Sequence, residues 1–334
     1  MIPEIELSAL HGTNPLGYLA ALGVLDVLHR VGRSATLHWT DDLVPAAVVN
    51  GANDVNDLVQ LLDRDRKLWQ SSVSFFGPPG ATTTDAKPLP GAFKAWAQAV
   101  STTIENCASP DADLFCALLA EGGIDGSADR KGKPTHLHFT AGNQQFLAMA
   151  QALATGLGPE HVRRALFGPW EATSDFKTLR WDAYSSYGRP YALQATAPTD
   201  TAPAGVPGAD WLALLGLSFF PVRVVETRGG RQDRVVETTA CDRAWKRSAF
   251  RWPLWSVPID RDTARSVVAD PALVGARDQR TAPHRRSVDG PSELAARGIL
   301  RILEAPIRRT DRGGYGSFGG AETLVEATRA SSPR

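Results

Sequence analysis

Near the end of the chain, Arg308-Arg309-Thr310-Asp311-Arg312-Gly313-Gly314-Tyr315-Gly316-Ser317-Phe318-Gly319-Gly320 packs three arginines, five glycines and two aromatic rings into thirteen residues. The chemistry open to such a segment is polyanion recognition. Guanidinium groups fork onto phosphate oxygens, glycines let backbone N–H groups approach a ligand closely, and a ring offers a face for a base. Gly314, Gly316 and Gly319 also satisfy G-x-G-x-x-G. That fingerprint opens a βαβ unit and calls for an acid about 20 residues further on, whereas only fifteen residues follow Gly319. A dinucleotide site is therefore excluded, and a glycine-rich turn without a ligand stays open beside the polyanion reading.

Two other clusters interleave rings with arginines. Trp252-Pro253-Leu254-Trp255 lies beside Arg247 and Arg251, and Arg180-Trp181-Asp182-Ala183-Tyr184 is followed by Tyr187, Arg189 and Tyr191. Single-stranded nucleic acid is gripped by such combinations, although tryptophans in a core covered by arginine stems give the same pattern. The expected nucleic-acid contacts are Arg308, Arg309, Arg312, Gly314, Tyr315 and Gly316, followed by Arg247, Arg251 and Trp252.

The remaining candidates are histidines. His136 and His138 sit in a strand-like pattern, where positions two apart share a face, so they suit either metal binding or a half-buried strand. His11, in Leu10-His11-Gly12-Thr13-Asn14, precedes a helix start, where a histidine serves as a base, a phosphate contact or an ordinary loop residue. There is no H-E-x-x-H, no H-x-E with P-C-x-x-C, no Walker A and no G-x-S-x-G. Neither metal nor cofactor is expected, and no catalytic residue is assigned.

The composition narrows the classes further. The chain has 334 residues, 43% of them apolar, as a globular protein requires. Its net charge is zero, but residues 221–334 carry 21 Lys/Arg against 14 Asp/Glu, leaving 15 against 22 for residues 1–220. The excess of 29 Arg over 7 Lys favours bidentate phosphate contacts, but a GC-rich genome would produce the same bias, so the regional asymmetry is the better evidence. Cys107, Cys116 and Cys241 form no C-x-x-C pair and fit a reducing compartment. Acids rather than lysines follow Met1, and no apolar run reaches the roughly 18 residues of a membrane span. These features predict a soluble cytoplasmic protein.

The elements that must position these residues follow from periodicity. Asn14-Pro15 caps a helix that is apolar nearly all round and stops at Gly32. Residues 35–40 alternate like a strand, and 54–70, 91–105, 111–120, 145–157, 159–168, 211–220 and 261–269 are expected to be helical. Arg228-Gly229-Gly230-Arg231 turns a hairpin, while 136–139, 248–252 and 297–306 read as strands. The predicted fold is α+β, helix-rich in the first two thirds and antiparallel and strand-rich in the basic last third. The proposed regions are 1–205 and 206–334, compatible with one continuous domain.

Several of these segments carry a family resemblance. Thr13-Asn14-Pro15-Leu16-Gly17-Tyr18-Leu19-Ala20-Ala21-Leu22-Gly23-Val24-Leu25, Gly142-Asn143-Gln144-Gln145-Phe146-Leu147, Arg180-Trp181-Asp182 with Tyr191-Ala192-Leu193, Trp211 to Pro221, and the terminal Gly-Tyr-Gly-Ser-Phe-Gly resemble CRISPR-associated proteins of type I-G (formerly I-U) systems. The large-subunit-like members are the most similar. The resemblance implies a non-catalytic subunit of an RNA-guided surveillance complex, with guide RNA, target DNA and other Cas proteins as partners. Two alternatives stand beside it. One is a metal-free endoribonuclease that processes CRISPR repeats with His11 or His29 as base; the other is an assembly scaffold without nucleic-acid affinity.

Overall fold

The computed structural model describes residues 3–70, 85–105, 110–121, 133–141, 144–173, 175–183, 205–226, 234–245, 248–274, 290–309 and 315–328. Its central element is helix α1 (Pro15–Arg30), buried without interruption from Pro15 to Leu28. Asn14 caps it, Pro15 occupies the first turn, and Gly32 follows its end in the left-handed region at φ +76°, as the capping rules require.

The first sheet is antiparallel and has the order β1-β3-β2, from β1 (Ile5–His11), β2 (Leu37–Trp39) and β3 (Ala46–Val49). The central strand β3 was not among the expected elements. Ala46-Ala47-Val48-Val49 is a four-residue apolar run buried on both faces, too short to separate strand from helix by periodicity.

Helices α2 (Val55–Trp69), α3 (Pro90–Glu105), α4 (Pro110–Leu118), α5 (Phe146–Gly156) and α6 (Pro159–Phe167) follow. They lead to α7 (Pro207–Gly216), which lies against α1. Strands β4 (Val222–Glu226) and β5 (Arg234–Thr238) form the expected antiparallel pair, with Val222 opposite Thr238.

The last third is built around a second antiparallel sheet. β6 (Ser248–Trp255) pairs along β7 (Ile299–Arg309), whose other edge carries β8 (Gly316–Phe318) at one end and β9 (Glu322–Glu326) at the other. Helix α8 (Arg261–Ala269) and the short α9 (Pro271–Val274) and α10 (Pro291–Ala296) fill the connections. The chain is thus an α+β fold with its sheet-rich part at the C-terminal side.

One hydrophobic core runs through residues before and after position 205. Tyr18 of α1 stacks on Trp39 of β2 at 5.5 Å and meets Trp252 and Trp255 of β6 at 5.8 and 6.4 Å. Such ring pairs add about 0.5–1.5 kcal/mol each beyond area burial. The tryptophans of β6 therefore join the two sheets.

Residues 136–139 do not form a strand. They make a turn in which the Thr135 carbonyl accepts from His138 N at 3.1 Å, so His136 and His138 do not share a sheet face. Both rings are buried. His138 Nε2 lies 2.7 Å from Asp85 Oδ1, and His136 Nδ1 lies 3.1 Å from Thr238 Oγ1. Burial, with the Arg309 charge nearby, pushes His136 down to about 4. It is neutral at pH 7, and the ring serves packing.

Candidate nucleic-acid interface

The cap of α1 is also a clamp. Asn14 Oδ1 accepts from Leu16 N at 3.2 Å and from Ala183 N at 3.4 Å, while Asn14 Nδ2 donates to Asp182 Oδ1 at 2.9 Å. A residue that ends a helix thereby holds a segment 168 residues further on. Asn14→Ala is expected to lower stability by about 1–2 kcal/mol, the upper range for a lost cap, as a shift of the urea midpoint at unchanged slope.

Beside the clamp, Trp181 is fully buried. Its Nε1 donates to the Leu137 carbonyl at 2.8 Å, and its ring meets Phe146 edge-on at 6.1 Å. The preceding residue, Arg180, lies in the left-handed region at φ +69°. Its backbone N donates to Thr178 Oγ1 at 3.0 Å, its Nε donates to Gln144 Oε1 at 3.2 Å, and its guanidinium sits 4.7 Å from the centre of the Tyr315 ring. Arg180, Gln144 and Tyr315 are all partly exposed.

Tyr315 is placed by β8. Gly316 N donates to the Phe139 carbonyl at 3.0 Å, and a β-carbon on Gly316 would stand 2.5 Å from the Phe139 ring. Only glycine permits that approach. Across the ladder from Gly316, Arg309 turns inward: NH1 and NH2 donate to the His138 and His136 carbonyls at 3.0 and 2.7 Å, and the guanidinium lies 3.8 Å from the centre of the Trp245 ring. Burial pushes its pKa down to about 10, which leaves it cationic at neutral pH. Arg308, its neighbour on the strand, points outward and is exposed.

The expected contacts thus divide. Arg308 and Tyr315 lie at one edge of the second sheet, and Arg309 is the brace beneath them; Gly316 is buried with its N–H committed to the Phe139 carbonyl, so it offers no backbone donor to a ligand. Arg251 and Trp252 lie in the core. Arg251 is 1% exposed and fork-bonded to Asp242 at 2.9 and 3.1 Å, with Nε on Glu304 at 2.6 Å. Trp252 is fully buried and donates to the Gly12 carbonyl at 2.8 Å. Buried charge demands such partners, and neither residue presents a surface to a nucleic acid. Arg247, Arg312 and Gly314 lie outside the described residues, as do Tyr184, Tyr187, Arg189 and Tyr191.

Pairing also accounts for part of the charge asymmetry. Arg261 bonds Asp26 and Asp113, and Arg265 bonds Asp113, so cations of the basic third neutralise acids of the preceding region. The arginine count alone overstates the free positive surface.

Beneath the Arg180 segment, the first turn of α7 supplies Asp210. Its Oδ2 accepts from Leu179 N at 3.4 Å, while its buried Oδ1 has no hydrogen-bond partner among the described residues. Burial pushes the carboxyl up to about 7, against the pull of Thr178 and the Leu179 N–H.

Sequence reasoning singled out Arg308, Tyr315 and Gly316 as contacts, read Asn14 only as a helix cap, named Arg180 and Asp182 only as part of a cluster, and gave Gln144 no role of its own. Their signal is the local sequence alone: they come from separate segments, which the fold brings together through the Asn14–Asp182, Gln144–Arg180 and Arg180–Tyr315 contacts. His11 is exposed at the end of β1, whereas His29 lies in the last turn of α1, about 22 Å along the helix from the clamp. Among the described residues, no group of three or more His, Cys, Asp or Glu is arranged to hold a metal ion, and no helix is long and apolar enough to cross a membrane.

The fold and this edge define an α+β chain with an arginine-bearing, aromatic, partly exposed rim. The chain matches no protein-family model and is not significantly similar to any curated protein.

Proposed function

We propose that this chain is a non-catalytic, nucleic-acid-binding subunit of a cytoplasmic type I CRISPR-Cas surveillance complex, contacting the backbone of guide RNA or target DNA. The observation that carries the reading is the meeting of Asn14, Gln144, Arg180, Asp182 and Tyr315. They come from four separate segments, all among those that resemble type I-G proteins. Exposed Arg308 stands on the same edge, where a guanidinium suits a phosphate. Base pairing reads sequence in such complexes, so the demand on this protein is backbone and single-strand contact.

The test is the salt dependence of binding. Arg309 is excluded from the substitutions because its removal would strand the His136 and His138 carbonyls. Arg308→Ala with Arg312→Ala is expected to weaken binding of a single-stranded oligonucleotide and reduce the slope of log K against log salt by roughly one per lost phosphate contact. An unchanged slope would remove this edge as the backbone contact. Cleavage of a CRISPR repeat hairpin without metal, lost in His11→Ala, would support the endoribonuclease reading instead.

A further inference from the structure

Arg180 is held in a conformation that its own side chain opposes. A residue with a β-carbon costs about 1–2 kcal/mol in the left-handed region, and such strain persists only where the surroundings enforce it. Here they do so from both sides. Thr178 Oγ1 takes the Arg180 N–H, Trp181 is locked into the core, and Asn14 grips Asp182.

The outcome of these constraints is a guanidinium laid over the Tyr315 ring, with Gln144 Oε1 fixing its Nε. Among the described residues Gln144 Nε2 makes no hydrogen bond, so this amide keeps two donors for a ligand. Three segments distant in the chain thus place a guanidinium over a partly exposed ring, with a hydrogen-bonding amide at its side. The buried aromatic groups of this protein have no such exposure: Trp39, Trp252 and Trp255 are each 1% exposed or less.

Resting on the nucleic-acid reading above, we propose that Gln144, Arg180 and Tyr315 form a subsite for one unpaired nucleotide of a single strand. The base stacks on the plane of the Arg180–Tyr315 pair, and the Gln144 amide donates to its edge. Stacking tolerates any base, because every base has a π-face, so the subsite favours unpaired bases without selecting a sequence.

The experiment compares full-length protein binding to oligodeoxythymidine with binding to an abasic strand of equal length and charge, at one salt concentration. The unsubstituted protein is expected to prefer the base-bearing strand by roughly ten-fold or more. Tyr315→Leu should bring the two affinities together at the abasic level, while Tyr315→Phe keeps the preference. Arg180→Gly, which relieves the left-handed backbone and so preserves folding, should also lose it. Equal binding of both strands by the unsubstituted protein, or a preference that survives Tyr315→Leu, overturns the subsite but leaves the nucleic-acid reading standing. Failure to bind either strand overturns both.

Discussion

Gly216→Val is expected to leave the chain unable to fold, and Gly216→Ala to lose about 3 kcal/mol or more, the upper range for overpacking a core. A β-carbon on Gly216 would stand 2.0 Å from the Leu19 carbonyl oxygen, and one on Gly23 would stand 1.9 Å from that of Leu212. The two glycines face one another where α1 crosses α7, each built β-carbon lying 3.1 Å from the other's backbone nitrogen. Both obstacles are main-chain atoms of helices buried almost throughout, so no side chain can rotate away. Relief requires moving the helices apart, which opens voids around Leu19 and Leu212 and loses packing in a core that tolerates few. Gly91→Ala is the matched control. Its β-carbon meets nothing within 4 Å in the first turn of α3, and it should be neutral or gain up to about 1 kcal/mol. Urea midpoints of the three variants, with soluble yield for the valine, check this ordering. A Gly216→Ala protein as stable as Gly91→Ala would mean that the crossing is looser than the glycine pair implies.

That crossing also shows what the sequence can and cannot disclose. Asn14-Pro15 and Gly32 mark both ends of α1, because capping chemistry is local and each residue acts within a turn of its own position. The uniform apolar surface between them says that the helix is central, but not which face meets which partner. That Gly23 answers Gly216 depends on two helices separated by the whole first half of the fold. The antiparallel pairing of β4 and β5 was legible because two valine-rich runs flank a Gly-Gly sequence of the kind that joins hairpins, although residues 228–231 themselves lie outside the described residues. The His136-Leu137-His138-Phe139 pattern misled because a turn closed by Thr135 and braced by Arg309 has the same alternation of polar and apolar residues as a strand.

The candidate site divides in the same way. Arginine and tyrosine near glycines are visible as types, which brought Arg308 and Tyr315 forward. Whether an arginine is surface or brace is decided by its partners, and these are distant: Arg251 meets Glu304, and Arg309 meets the carbonyls of residues about 170 positions away. Composition cannot distinguish Arg308 from Arg309, but strand alternation can, once β7 is known to bury one face.

Asp210→Asn is expected to make the protein more stable than its parent at pH 8 by up to about 4 kcal/mol, with the difference fading below pH 4. The Asp210 carboxyl is raised by burial to about 7, against an unfolded value near 3.9. A folded pKa above the unfolded one means that the native state holds the proton more tightly. Its contribution is therefore complete below about pH 4 and is lost as pH rises through 7, at about 1.4 kcal/mol for each pH step of one between the two values. Asparagine preserves an acceptor for the Leu179 N–H and places an uncharged amide where Oδ1 has no partner among the described residues. His136 titrates in the opposite sense: its lowered pKa means that its contribution is lost as pH falls below 6.5 toward 4. The parent alone therefore gives a mixed profile, and only the difference between parent and variant isolates Asp210. Urea denaturation of both at about pH 5, 7 and 8.5 should show that difference growing with pH and levelling off above about 7. Parallel profiles would mean that the carboxyl is hydrated in solution and that the first turn of α7 opens beneath the segment carrying Arg180.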